Sequence, residues 1–373
     1  MSPKAYLISC SDHYHHRLHV WDGVLKELGY ETTYITSSFD HATKRPFTCQ
    51  VEGCVQLDVI PYRKNLSIQR ILSHWMFARK VEKYLESNEA DVIICLLPPN
   101  FLAKYLAGYK KRHPKVKLIF DIFDLWPETF PSGKTKRLLA PVFAVWAGLR
   151  DRNLSAADFV TTECDLFRQR LSLGGNSATA YLCAAPSPVP SKPDLPQDQI
   201  RLCYLGSINN IIDIPAICRL IRQLSRHKPV SLHIIGSGER QQAFIDSASA
   251  AGADVIFHGA VYDAVRKQQI LDSCHFGLNV MKASVCIGLT MKSVDYLRHG
   301  LPMINNIGAD TQLLIRNHNI GLMLEPDTAL RIVELDQQQL MQMRTNASAI
   351  FDRHFTQKTV EQTMADILKS LTR

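Results

Sequence analysis

ADVIICLLPPNFLAKYLAGYKKRHPKVKLIFDIF, residues 90–123, decides how the chain folds. ADVIICLL is a short unbroken apolar run, the pattern of a strand buried on both faces. FLAKYLAGYKKRH reads as a helix, and VKLIFDIF as a second buried strand. Strand, helix and strand in that order build a parallel sheet covered by helices. The rhythm continues outward. KAYLISC (4–10) and ETTYITSS (31–38) are strands, and RLHVWDGVLKEL (17–28) is a helix closed by Gly29. Residues 67–87 carry Ile71, Leu72, Trp75, Ala78, Val81 and Leu85 at helical spacing. DFVTTEC (158–164) and TAYLCAA (179–185) read as the last strands of this half.

The second half repeats the alternation. Its strands are IRLCYLGS (200–207), VSLHIIGSG (230–238), DVIFHGAV (254–261), FGLNVM (276–281) and LPMINN (301–306). Helical stretches lie between them, and QKTVEQTMADILKSL (357–371) is a terminal amphipathic helix. Residues 184–199, AAPSPVPSKPDLPQDQ, hold five prolines and read as a semi-rigid linker. The expected architecture is α/β. A doubly wound parallel-sheet domain over 1–183 faces a second over 200–350 across a cleft, with 351–373 as a closing helix. Ligands of such sheets bind at the carboxyl ends of the strands.

Composition narrows the function. Of 373 residues 46% are apolar and 21% charged, which suits a globular protein and argues against disorder. The start, MSPKAYLISCSDHYHH, lacks the charged and apolar regions of a signal peptide. VIICLLPP and APVFAVWAGL fall short of the roughly 20 residues of a spanning helix. The ten cysteines lie singly with no CxxC pair, which suits reduced cytosolic thiols. The histidines show no metal-ligand spacing, so no metal is expected. The net charge is +8, and residues 60–117 alone hold twelve Lys/Arg against four Asp/Glu. A basic surface suits nucleic acid, anionic lipid or phosphorylated substrates, and no nucleic-acid-binding motif is visible. GKTKRLLAPVFAVWAGLRDR (133–152) sets Lys134, Lys136 and Arg137 before Leu138, Leu139, Val142, Phe143 and Trp146, with Arg150 and Arg152 after. It reads either as a helix lying among lipid headgroups or as a core helix with charged ends.

Chemistry concentrates in KASVCIGLTMKSVDYLRHGLP, residues 282–302. Thr290 is an expected N-cap for a helix from Met291 to about His299, stopped by Gly300 and Pro302. Lys292 lies in its first turn and Asp295 three residues on, on the same side. A helix N-terminus with a lysine seats a diphosphate, and a carboxylate one turn deeper can accept from ribose hydroxyls. A capped surface helix with an ordinary Lys–Asp pair explains the same residues. In HIIGSGER, Gly236 and Gly238 with Arg240 form a strand-to-helix turn, short of a dinucleotide fingerprint. Gly206 and Ser207 end a strand in the same way. In the first half, FDIFDLWPETF sets Asp121, Asp124 and Glu128 at a strand's carboxyl end, where a carboxylate can orient or deprotonate an acceptor hydroxyl. Asp12, His13 and Arg17, in SDHYHHRLH, follow the first strand at the same edge.

TMKSVDYLRHGLP (290–302) resembles the P-x-K-x-x-E-Y-x-A-x-G-x-P signature of many GT-B fold glycosyltransferases of family four. DIFDLWPE (121–128) resembles that family's D-x-x-D-L-W-P-E segment, and Thr36-Ser37-Ser38-Phe39-Asp40-His41 resembles the T-S-D-F-D-H of bacterial capsule and exopolysaccharide transferases. The resemblance spans the chain. It implies retaining, metal-independent sugar transfer from a nucleotide diphosphate sugar, UDP-linked by the family's pattern, with no further cofactor. It places the donor in the second domain on Gly206, Ser207, Gly236, Gly238, Arg240, Lys282, Gly288, Leu289, Thr290, Lys292 and Asp295. The acceptor would meet Asp12, His13, Arg17 and Glu128 in the first domain, with Asp124 as the catalytic carboxylate. A polyprenyl-diphosphate-linked glycan acceptor, at the cytoplasmic face of an anionic membrane, would explain the basic first half. Two features depart from the pattern. Ile287 stands where an acid is common, and the 206–210 loop lacks the usual Arg and Lys, so Lys282, Lys292 and Arg240 would supply the charge. These departures keep two other readings open: a nucleotide-sugar epimerase of the same fold, and a non-catalytic partner subunit.

Overall fold

The computed structural model describes residues 2–11, 15–41, 43–130 and 134–372. The chain forms two compact units, Met1–Tyr181 with Val360–Arg373, and Leu182–Thr359. In the first unit, β1 (Lys4–Ile8), β2 (Glu31–Ser37), β5 (Val55–Leu57), β6 (Val92–Leu97), β7 (Lys117–Ile122), β8 (Phe159–Thr162) and β9 (Ser177–Thr179) make one sheet. Its order is β5-β2-β1-β6-β7-β8-β9, and every pairing is parallel. A small antiparallel hairpin, β3 (Phe39–Asp40) with β4 (Arg45–Pro46), stands beside it. All six residues of β6 are buried, which is why that strand reads as continuously apolar. The expected helix over 67–87 runs from Ile68 to Glu86, with Ser67 accepting from Arg70 N as its cap.

The second unit has β10 (Ile200–Leu205), β11 (Val230–Ile235), β12 (Ala253–Gly259), β13 (Phe276–Asn279), β14 (Met303–Asn305) and β15 (Gly321–Met323). Their order is β12-β11-β10-β13-β14-β15, again all parallel. This is the doubly wound order, reversing between β10 and β13. The helix Ile214–Leu224 shows how the sequence drives the packing. Asp213 caps it, Pro215 occupies its first turn, and Ile217, Leu220, Ile221 and Leu224 are at most 1% exposed. Burying four such side chains contributes on the order of 6–12 kcal/mol before entropy is counted.

Several sequence expectations need correction. TAYLCAA is not a strand: the last strand is Ser177–Thr179, and Ala184 instead bridges to Thr356. The stretch 133–152 breaks into two helices, Lys134–Leu138 and Ala140–Asp151, because Pro141 suits only a helix start. The apolar residues of that stretch also part company. Phe143 is buried, while Leu138 is 81% and Val142 48% exposed. The proline-rich segment is held within the second unit by Asp272, which accepts from Ser191 Oγ at 2.6 Å and from Lys192 N at 2.7 Å. Asp272 also meets Arg344 at 2.9 Å and Gln268 at 2.9 Å, so this buried network fastens the segment.

Candidate active site

The point where the second sheet reverses lies between β10 and β13, which pair only at Leu202–Phe276 and Cys203–Gly277. Beyond that the strands part, and Tyr296 fills the gap. Its hydroxyl accepts from Leu205 N at 2.9 Å and lies 3.2 Å from Cys203 O and 3.3 Å from Leu278 O. The ring lies flat on the β13 backbone, since a Cβ at Gly277 would come within 2.7 Å of it. Tyr296→Phe keeps the ring and strands the Leu205 amide in the core. The expected cost is about 1–3 kcal/mol of stability in the second unit, read from thermal unfolding by circular dichroism. A loss well under that range would show the strands holding without the hydroxyl.

Tyr296 belongs to the helix Met291–Arg298, whose start is tied to the same strand ends. Thr290 caps it as expected, accepting from Ser293 N at 3.0 Å. The Thr290 hydroxyl also meets Asn279 Oδ1 at 3.1 Å and Ser293 Oγ at 2.7 Å. Asn279 in turn donates to Ser293 Oγ at 2.9 Å and to Asn305 Oδ1 at 2.8 Å. Asn279, Ser293 and Asn305 are fully buried. This network was missed from sequence, although a polar Asn ending each of two apolar strands was its signal. It fixes the helix N-terminus over the carboxyl ends of β13 and β14. The Thr290 side chain is consumed by it, which leaves the backbone of the first turn to meet a ligand.

Lys292 projects from that turn toward β10. Its Nζ donates to Tyr204 Oη at 3.0 Å and lies 4.1 Å above the Tyr204 ring, with Gly206 beside its stem. The structure gives it no carboxylate partner among the described residues. Burial pushes its amine down to about 8. A desolvated cation held by an aromatic face and a hydroxyl is poised for an anion. Asp295, half-buried, has other neighbours: Arg298 at 3.6 Å and Lys267 at 3.9 Å.

The glycine turns have a reason that the sequence did not reveal. The two loops are laced together by Gly206 N to Ile235 O at 2.9 Å, Ile208 N to Ser237 O at 2.9 Å and Arg240 N to Ile208 O at 3.0 Å. A Cβ at Gly236 would sit 2.1 Å from Gly206 O, and one at Gly238 2.3 Å from Ile208 O. Both glycines therefore serve the close approach of two backbones. Ser207 is exposed with its carbonyl accepting from Tyr204 Oη at 2.8 Å, and Arg240 is exposed near Asn210. Lys282 is exposed. Gly288 and Leu289 are buried, and the Gly288 carbonyl accepts from Thr311 N and Oγ1.

In the first unit, Asp12 and His13 lie outside the described residues. Arg17 is only 3% exposed, inside the fold, where it clasps Asp121 through Nε and Nη2 at 2.7 Å each. Trp21 Nε1 adds a third bond to Asp121 at 2.8 Å. Glu128 is gripped at 2.6 and 3.1 Å by Arg150, itself fully buried and also donating to Trp126 O. Asp124 is half-buried and accepts from Thr129 Oγ1 at 2.8 Å. Burial raises its carboxyl above the usual carboxylate value, against the pull of Thr129 and Arg70. Of this group Asp124 keeps the character of an acid–base residue, while Arg17 and Glu128 are engaged in ion pairs. Among the described residues no group of three His, Cys, Asp or Glu is placed to hold a metal ion.

No family model matches the sequence, and no curated protein matches it. Solved structures do match along the whole chain. The sucrose-phosphate synthase tll1590 from Thermosynechococcus elongatus aligns with TM-score 0.71 at 12% identity, covering 99% of both chains. The apo lipopolysaccharide outer core galactosyltransferase WaaB aligns at 0.64 and 14%, again over 99% of both. Anabaena Alr3699/HepE in complex with UDP and glucose aligns at 0.62 and 15%, over 99% of this chain and 100% of that one. The chain has the GT-B fold. At 12–15% identity the likeness reaches the architecture and stops there. Within this GT-B chain, Gly206 and Lys292 meet at the reversal point of the second sheet, where doubly wound sheets bind ligands. No helix of the described residues is long and apolar enough to cross a membrane.

Proposed function

We infer that the protein is a retaining, metal-independent glycosyltransferase that takes its sugar from a nucleotide diphosphate sugar. One observation carries this reading. Lys292, desolvated and without a carboxylate partner among the described residues, stands in the first turn of a capped helix at the reversal point of the sheet. The helix terminus and the lysine would hold the diphosphate, stabilising the leaving group electrostatically. Asp295 would accept from the ribose hydroxyls, and Gly206, Ser207, Gly236, Gly238, Arg240, Lys282, Gly288 and Leu289 would complete the donor site. UDP is the expected leaving group, since Alr3699/HepE is a structural neighbour seen with UDP. Asp124 would orient the acceptor hydroxyl.

The acceptor in this reading is a polyprenyl-diphosphate-linked glycan of surface or exopolysaccharide synthesis, met at the cytoplasmic face of an anionic membrane. Its support is the basic 60–117 stretch and the exposed Leu138, Val142 and Val145 beside Lys136 and Arg137. The test is calorimetric titration with UDP. Wild type should bind at micromolar to millimolar strength, and Asp295→Ala should bind at least about tenfold more weakly. If no nucleoside diphosphate binds the wild type, the chain is a partner subunit instead. Turnover of free nucleotide sugar without acceptor would point to an epimerase.

A further inference from the structure

A second cationic site lies in the first unit. A cavity of about 530 Å³ is lined by Phe39, Lys44, Pro61, Tyr62, Arg63, Lys64, Ser67 and Gln69. Three of these eight are cations and none is acidic. The cavity opens at the start of the helix Ile68–Glu86, whose first turn also holds no acid to offset its positive end. Arg70, 7% exposed in that turn, has an Nε with no hydrogen-bond partner among the described residues. Lys44 rests 5.0 Å over the Tyr62 ring, and its amine is depressed by burial and by the charge of Arg70. The neighbouring carboxylate, Asp40, is engaged with the amide and hydroxyl of Thr43. Neither Arg63 nor Lys64 forms an ion pair with a described residue, and both are exposed. Asp40 acts on Lys44 and Asp124 on Arg70, so these four cations outnumber the nearby carboxylates, and a multiply charged anion would relieve the surplus.

We propose that this pocket binds a phosphate or diphosphate ester. Lys44, Arg63 and Lys64 would contact its oxygens, and the cavity volume leaves room for the group it is attached to. This deepens the transferase reading and rests on it for that attached group, the lipid or sugar of the acceptor. The anion site itself stands on the pocket alone.

The test must separate this site from Lys292, which would also bind phosphate. Inorganic pyrophosphate is titrated into Lys292→Met and into Lys292→Met with Arg63→Ala and Lys64→Ala. Exposed Arg63 and Lys64 can be removed without unfolding the unit. The pocket predicts binding in the first protein and at least about tenfold weaker binding in the second. UDP affinity measured in Arg63→Ala/Lys64→Ala alone should match wild type. Equal pyrophosphate affinity with and without the two cations, or no pyrophosphate binding in Lys292→Met, overturns the site. Pyrophosphate binding that depends on the cations in a protein that binds no UDP would keep the pocket and sink the donor reading. Vesicles of phosphatidylglycerol in phosphatidylcholine distinguish the source. If the two substitutions also weaken vesicle binding, the phosphate is lipid-borne; if vesicles are indifferent while pyrophosphate is not, the ligand is a soluble ester. Weaker vesicle binding with unchanged pyrophosphate affinity would make the cations a lipid-facing surface and overturn the pocket.

Discussion

Asp121→Ala is expected to cost the first unit about 3–5 kcal/mol. Both members of the pair are buried, Asp121 at 0% and Arg17 at 3% exposure. The carboxylate receives Nε and Nη2 of Arg17 and Nε1 of Trp21, all within 2.8 Å. Truncation removes one charge and leaves the other in the core, along with an indole N–H that has lost its acceptor. A buried charge that loses its partner is worth far more than the net value of the intact pair, because its hydration is not restored. Asp121→Asn should be milder, since an amide oxygen still accepts. The measurement is favourable here. All four tryptophans, Trp21, Trp75, Trp126 and Trp146, lie in the first unit, so indole fluorescence during urea unfolding reports that unit alone. A fall in midpoint at unchanged slope is the expected signature. A loss below about 1 kcal/mol would mean that water reaches the pair.

The same pair shows where reading the sequence stops. Asp121 closes a motif and Arg17 lies near the first strand, and each looks like a site residue in its own stretch. Only the parallel pairing of the sheet brings together residues 104 positions apart and turns both into structure. Local physics, by contrast, was legible. The buried β6 reads as an apolar run, the helix from Ile68 as a 3.6-residue periodicity, and the Thr290 cap as a polar residue before a helix. The three-residue strands β5 and β15 are too short to show a period at all. Gly236 and Gly238 were visible as a turn, but their cause, the backbone of the 206–208 loop about 30 residues away, was not. Tyr296 stands within the 290–302 signature, yet its work of bridging two diverging strands exists only once β10 and β13 are paired. At the helix Met291–Arg298 the Thr290 cap could be read from the sequence, and everything that holds that first turn in place could not.

Lys292→Met should weaken UDP binding by about ten- to a hundredfold, the worth of a charge-assisted hydrogen bond at roughly 1.5–3 kcal/mol. Methionine retains the stem that packs beside Gly206 and over Tyr204, so the loss isolates the charge. The pH dependence makes the assignment sharper. In the free protein burial lowers the lysine from 10.5 to about 8. A bound diphosphate favours the charged amine and raises its pKa again. Below about pH 8 the lysine is protonated in both states, and affinity is insensitive to its titration. Above that value the free protein loses the proton while the complex retains it, so binding takes one up. Wild-type affinity should then fall, approaching tenfold per pH unit, until the raised pKa of the complex is reached. UDP contributes no titration of its phosphates there, because its second phosphate proton is gone well below pH 8. Titrations in two buffers of different ionisation enthalpy would detect the uptake directly. In Lys292→Met both the slope and the uptake should vanish. If the mutant keeps the wild-type slope, the proton belongs to another group and Lys292 does not face the diphosphate.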